Sequence, residues 1–262
     1  MDVLTVALVA LLASGLTLFS GFGLGTLLLP VFALFMPVDV AVGATALVHA
    51  ANNVFKVAVV GRQADWGIAL RFGVPAILAA FLGAALLGLV AVAEPWFQYT
   101  VGGRQAVVTP VKLSLAALMA AFALFELLPK LRDFQMRGNH LVTGGILSGF
   151  FGGFSGHQGA LRSAFLVKAG MSPAAFVGTT AVISFSVDAV RIAVYAVSLF
   201  VLESGTPVGP DAAPLVWTGI AAAFVGVFVG SRLLHKVTMR FIQYLTGILL
   251  LLVSLALGSG II

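Results

Sequence analysis

Four charged side chains stand deep within apolar stretches, Lys56, Arg162, Asp188 and Arg191, whereas Lys112, Glu126 and Lys168 lie close enough to span ends to be expected at the interface. A charge at the centre of a bilayer costs roughly 2.5–3.5 kcal/mol on insertion scales, so an ionisable group there is a functional candidate by default. Arg162 closes the densest polar run of the chain, Gly152-Gly153-Phe154-Ser155-Gly156-His157-Gln158-Gly159-Ala160-Leu161-Arg162. Ser155, His157, Gln158 and Arg162 can all donate hydrogen bonds towards an anion. The plainer alternative has Ser155 and Gln158 capping a broken helix while Arg162 snorkels to the cytoplasm. A second polar set, His49, Asn52, Asn53 and Lys56, shares one helix face through i,i+3 and i,i+4 steps. Lys56 is expected to snorkel, and His49 is either a hydrogen-bonded core residue or a proton relay. Asp188 and Arg191, three apart, either neutralise each other or leave Arg191 facing a cavity with Asp188 as its orienter or a proton carrier. His49, His157 and Asp188 are therefore the proton-coupling candidates.

These residues sit in a chain of 262 residues of which 61% are apolar and 9% charged. A soluble domain carries about 25% charge, so the chain reads as an all-α polytopic membrane protein with no room for a soluble domain. The absence of cysteine excludes disulfides, thiolate metal sites and a Cys nucleophile; no metal site and no cofactor is expected. A net charge of +5 belongs to cytoplasmic loops rather than to a nucleic-acid partner. The first residues lack the basic n-region of a signal peptide, with Asp2 in its place, and are expected to stay in the mature chain.

Apolar runs at 3–18 and 24–36 flank SGFGLG, and runs at 140–153 and 159–170 flank FSGHQG. Each pair reads as two short helices meeting at a Gly-rich break. Longer runs follow at 38–60, 68–92 and 106–129, and again at 173–202, 213–231 and 241–258. Broken backbone at membrane depth is tolerated only where protein or a water-filled cavity surrounds it, so both breaks point inward. Sliding the chain by 135 residues aligns Phe19-Ser20-Gly21 with Phe154-Ser155-Gly156, Val42-Gly43-x-Thr45-Ala46 with Val177-Gly178-x-Thr180-Ala181, Asn53 with Asp188 and Lys56 with Arg191. The loops at 61–71, 130–139 and 231–240 hold most of the basic residues and are expected to be cytoplasmic. Counting crossings from them makes the two repeats run in opposite senses, with both termini outside. The expected organisation is an inverted repeat of two halves, 1–129 and 140–262, joined by a cytoplasmic linker at 130–139. Each half is a broken helical hairpin followed by three transmembrane helices. Such architecture suits a secondary transporter. Helices starting near Gly25 and Gly159 would present N–H groups and a positive dipole end to an anion.

The Gly-rich break followed by Pro30 and the Val-Gly-x-Thr step, repeated with Gly144, Gly149 and FSGHQG, resembles the TauE/SafE sulfite exporter family along essentially the whole chain. The resemblance implies a bacterial inner-membrane carrier for sulfite, sulfoacetate or other organosulfonates, or thiosulfate. His157, Gln158 and Arg162 are more polar than that pattern requires. Combining both readings, an alternating-access carrier, acting in export, would bind its small anion with Ser20, Gly21, Gly23, Gly25, Asn53, Ser155, Gly156, His157, Gln158, Gly159, Arg162 and Arg191. Its partners are the substrate and the lipid bilayer; a homodimer is compatible with the sequence and not indicated by it. Two competing readings are an anion channel and a rhomboid-like intramembrane serine protease. The latter takes Gly153-Phe154-Ser155-Gly156 as a GxSG motif with His49 or His235 as base. The recurrence of Phe-Ser-Gly at 19–21 favours a duplicated structural break over a single nucleophile.

Overall fold

A computed structural model describes residues 2–20, 24–132, 140–200, 212–233 and 239–262. Its helices are α1 Asp2–Ser20, α2 Leu24–Phe32, α3 Val38–Val60, α4 Trp66–Ala91, α5 Pro110–Leu127, α6 Pro129–Arg132, α7 Leu141–Ser155, α8 Gly159–Leu166, α9 Pro173–Phe200, α10 Ala213–Leu233 and α11 Met239–Gly258. Helix is the state these apolar runs must take, because hydrocarbon offers no partner for an open N–H or C=O. Among the described residues, α3, α4, α5 and α9 contain spans long and apolar enough to cross a bilayer, and α1, α7, α10 and α11 contribute shorter apolar stretches. The protein is thus a helical membrane protein.

One element departs from the all-α expectation. Residues 106–108, read as the start of the run 106–129, belong instead to strand β2 (Arg104–Val108), paired antiparallel with β1 (Phe97–Val101). Gly102 and Gly103 have φ of 56° and 78°, the left-handed pair that a two-residue hairpin turn demands. The hairpin holds the chain end: Tyr99 donates to the Ser259 carbonyl at 2.5 Å, and the Val107 N–H to that of Gly260 at 3.0 Å. Helix α5 begins only at Pro110, which occupies its first turn behind the capping Thr109, so this proline starts a helix rather than kinking one.

Four packing pairs are α4 with α7, α1 with α10, α5 with α11, and α3 with α9; α4 also packs on α9, and α10 on α3. The α4–α7 contact rests on a glycine stripe that sequence reading missed. A Cβ on Gly145, Gly149 or Gly153 would fall on the carbonyl oxygen of Phe72, Ala76 or Ala80, one turn after another along α4. With no hydrophobic drive between helices in lipid, close backbone approach at small residues is what associates them. Gly226 serves α10 in the same way against the Leu11 carbonyl of α1, where Ser14 also donates to the Ala223 carbonyl at 2.5 Å. Glu126, expected to reach the interface, is instead 2% exposed, beside Gly247 of α11.

Candidate functional site

The chain breaks between α7 and α8 at Gly156-His157-Gln158, and Gly156 caps α7 with φ of 82°. That conformation favours glycine, and space demands it as well: a Cβ there would lie 2.6 Å from Nη1 of Arg191. Helix α8 starts at Gly159, the expected position, and α2 starts one residue before Gly25. A Cβ on Gly25 would lie 3.3 Å from Thr45, 3.7 Å from the Gly156 carbonyl and 3.9 Å from the His49 ring. The start of α2, the polar face of α3 and the α7–α8 break therefore meet at one point. Gly21 and Gly23 lie outside the described residues, as does the side chain of Ser20.

Asp188 organises this centre from α9. Its Oδ2 lies 2.8 Å from Nδ2 of Asn53 and 2.8 Å from Nδ1 of His49. Its Oδ1 accepts from Nε of Arg191 at 3.0 Å and from Nε2 of Gln158 at 3.4 Å. Nη2 of Arg191 is 2.9 Å from the same oxygen. Asp188 and Arg191 both have zero exposure, so the ion pair anticipated from their spacing is present and buried. Gln158 bridges the Asp188 carboxylate and Arg162, donating to Asp188 while its Oε1 accepts from Nη1 of Arg162 at 3.1 Å. Arg162 is 3% exposed and does not snorkel. Gln158 makes no capping hydrogen bond to α8, because its amide is spent on this bridge.

His157 stacks on Phe122 of α5, ring centroids 5.2 Å apart, and its Nδ1 lies 3.0 Å from Oγ of Ser155. Ser155 donates to the Phe151 carbonyl one turn back, and Tyr195 to the Gly153 carbonyl. The competing protease reading pairs Ser155 with His49 or His235; among the described residues the Ser155 hydroxyl contacts the Phe151 carbonyl and Nδ1 of His157 and not His49, and His235 lies outside the described residues. Thr179 and Thr180 are structural: the first accepts from the Asp65 N–H at 2.9 Å and the second donates to the Val177 carbonyl.

Several buried polar atoms at this centre have no well-aligned hydrogen bond from the protein: Oγ1 of Thr45, both amide atoms of Asn52, Nε2 of His157 and Nη1 of Arg191. Native interiors leave few such groups, and an unsatisfied one costs about 1–3 kcal/mol. Thr45, His49 and Asn52 fall at i, i+4 and i+7, one stripe of α3. Thr45 and Asn52 were not among the expected binding residues. The only signal for them was that stripe, together with the repeated Val-Gly-x-Thr step.

The family model described as "Sulfite exporter TauE/SafE" matches residues 6–257, nearly the whole chain. The chain belongs to the TauE/SafE family. No curated protein matches it. Membership in the TauE/SafE family implies a sulfur-anion transmembrane transporter rather than an enzyme. A multi-pass helical membrane protein with a buried cationic centre agrees with it.

Proposed function

We propose that this protein moves a small sulfur-containing anion, sulfite or an organosulfonate, sulfoacetate or thiosulfate, across the bacterial inner membrane by alternating access. The observation that carries this reading is the set of buried polar atoms without well-aligned hydrogen bonds near the start of α2 and the α7–α8 break. Thr45 lies against Gly25 and Nη1 of Arg191 against Gly156, Asn52 lies on the same stripe of α3 as Thr45 and His49, and the N-terminal turns of α2 and α8 add their positive ends. The oxygens of a tetrahedral or pyramidal sulfur anion accept from such donors without bringing a proton of their own. Ser155, His157, Gln158, Gly159 and Arg162 form the second wall, and Asn53 acts through Asp188. Asp188 holds Arg191 in place, and His49, hydrogen-bonded to the same carboxylate, carries the coupling proton. A protonated His49 adds positive charge beside the anion, so substrate and proton travel together.

The inverted repeat is part of the same proposal. If a two-fold axis exchanges the halves, α4–α7 must pair with α10–α1, and α3–α9 and α5–α11 must each map onto themselves; the four packing pairs obey this. The repeat mates Asn53 and Asp188, 135 residues apart, touch each other directly, as residues beside such an axis do. Helix α4, with Arg71 in its second turn, separates the turn bearing Arg62 from the hairpin that holds residues 259 and 260, which supports a C-terminus outside when that basic end is cytoplasmic. Sulfite counterflow in proteoliposomes tests the reading. Saturable exchange that Arg162→Ala weakens far more than Lys112→Ala supports a carrier using this site, since Lys112 is spent on the Val107 carbonyl at 3.0 Å. Linear, voltage-driven flux would instead indicate a channel, and equal small effects would remove Arg162 from the site.

A further inference from the structure

Two apolar grooves of nearly equal volume, about 640 and 630 Å³, open on the outer surface of the helices. One lies between α4 and α9 and is lined by Phe81, Leu89, Val190 and Val194. The other lies between α3, α10 and the start of α9 and is lined by Phe55, Val59, Pro173 and Phe228. A shift of 135 carries Phe55 and Val59 onto Val190 and Val194, so the grooves occupy matching places in the two halves. They differ in charge. The first has no ionisable lining residue, whereas the second is lined by Lys56 and Gln63.

Lys56 and Arg191 are repeat mates with opposite fates. Arg191 turns inward to Asp188, but Lys56, 8% exposed, makes no hydrogen bond or ion pair with any described residue and lines the outer groove. Lys56 feels the Asp188 carboxylate and the like charge of Arg162 at longer range, but has no hydrogen-bonded counter-ion, which is costly for a buried ammonium; the Asp188 carboxylate already serves His49, Asn53 and Arg191. At the same end the groove meets the first turn of the 28-residue α9, a positive dipole end, at Pro173 and Ala174. Below, its walls are apolar, and Val59 and Phe228 are largely exposed to the bilayer.

We propose that this groove is a binding site for an anionic phospholipid of the leaflet that meets the α3–α4 turn. One acyl chain lies along Phe55, Val59 and Phe228, and the phosphate is held by Lys56, Gln63 and the start of α9. Charge complementarity selects the occupant: a zwitterionic lipid brings its own cation with its phosphate and adds no net countercharge, and a small free anion would leave the apolar walls unfilled. Basic pockets between transmembrane helices recognise headgroups in this way.

Native mass spectrometry of the full chain, released from nanodiscs of equal phosphatidylglycerol and phosphatidylcholine, tests the proposal. Wild type should retain phosphatidylglycerol in excess. Lys56→Met, which keeps the apolar stem, should cut that excess about fivefold, the worth of one basic residue near an anionic lipid surface; Lys56→Arg should restore it. Thermal unfolding of each variant checks that it is folded. Millimolar inorganic phosphate or sulfite should leave the retained lipid in place. An unchanged excess in folded Lys56→Met, or displacement of the lipid by either free anion, would overturn the proposal; the latter result would make the groove part of the translocation path. Lipid retention is read without transport, so failure of the carrier reading leaves this test intact.

Discussion

Asp188→Asn probes the centre most directly. The carboxylate has zero exposure and serves Arg191, His49, Asn53 and Gln158 at once. Asparagine is nearly isosteric, so packing is kept, but the charge facing the guanidinium disappears and one oxygen becomes a donor confronting donors. Removing one partner of a buried ion pair costs about 3–5 kcal/mol, because the other charge stays buried without compensation. Against a total stability of roughly 5–15 kcal/mol the loss should be plain in thermal unfolding of the detergent-purified protein. A second consequence separates a binding site from a merely structural pair. With Asp188 neutral, Arg191 accepts an anion in its place, so sulfite should raise the melting temperature of Asp188→Asn more than that of wild type. Ligand stabilisation grows as RT ln(1 + [L]/Kd), about 2.7 kcal/mol at a hundred times Kd. The double variant Asp188→Asn, Arg191→Gln should recover stability and lose this sulfite response. A cost under about 1 kcal/mol, or a sulfite shift no larger than that of wild type, would refute the assignment of Arg191 to the anion site.

Asn52→Leu removes an amide with no protein partner, so it should leave the melting temperature unchanged or higher while weakening sulfite binding by about tenfold to a hundredfold, as for one hydrogen bond to a charged group; isothermal titration reads both constants. His49→Gln keeps a polar group beside Asp188 but cannot take up a proton. Wild-type sulfite exchange should quicken as the medium is acidified, and the variant should respond much less. Gly149→Val drives a side chain into the Ala76 carbonyl and should destabilise the α4–α7 pair by at least the 1–3 kcal/mol typical of overpacking, whereas Gly103→Val, at the open hairpin turn, should act only through its backbone strain and cost less; thermal unfolding ranks the two.

The apolar runs, the Gly-rich breaks, the 135-residue spacing and the four intramembrane charges were all legible in the chain, because lipid solubility and backbone satisfaction act locally on sequence. Lys56, Arg162, Asp188 and Arg191 are indeed all buried. Sequence could not say which charge faces which. Lys56 and Arg191 occupy equivalent repeat positions, yet one lines an outer groove and the other pairs with Asp188, whose own repeat mate beside Lys56 is the neutral Asn53. Only packing decided that Gln158 links Asp188 to Arg162 instead of capping α8, that Glu126 is buried against α11, and that Thr45 joins the centre. The hairpin at 97–108 was hidden for a different reason: its residues are apolar enough to pass for a span, and the Gly102-Gly103 turn outweighs that local signal. What the chain determined by itself was that a few costly charges are carried into the membrane. Which of them neutralise one another, and which are left for a ligand, depends on contacts between residues more than a hundred positions apart, and tertiary structure alone supplies those.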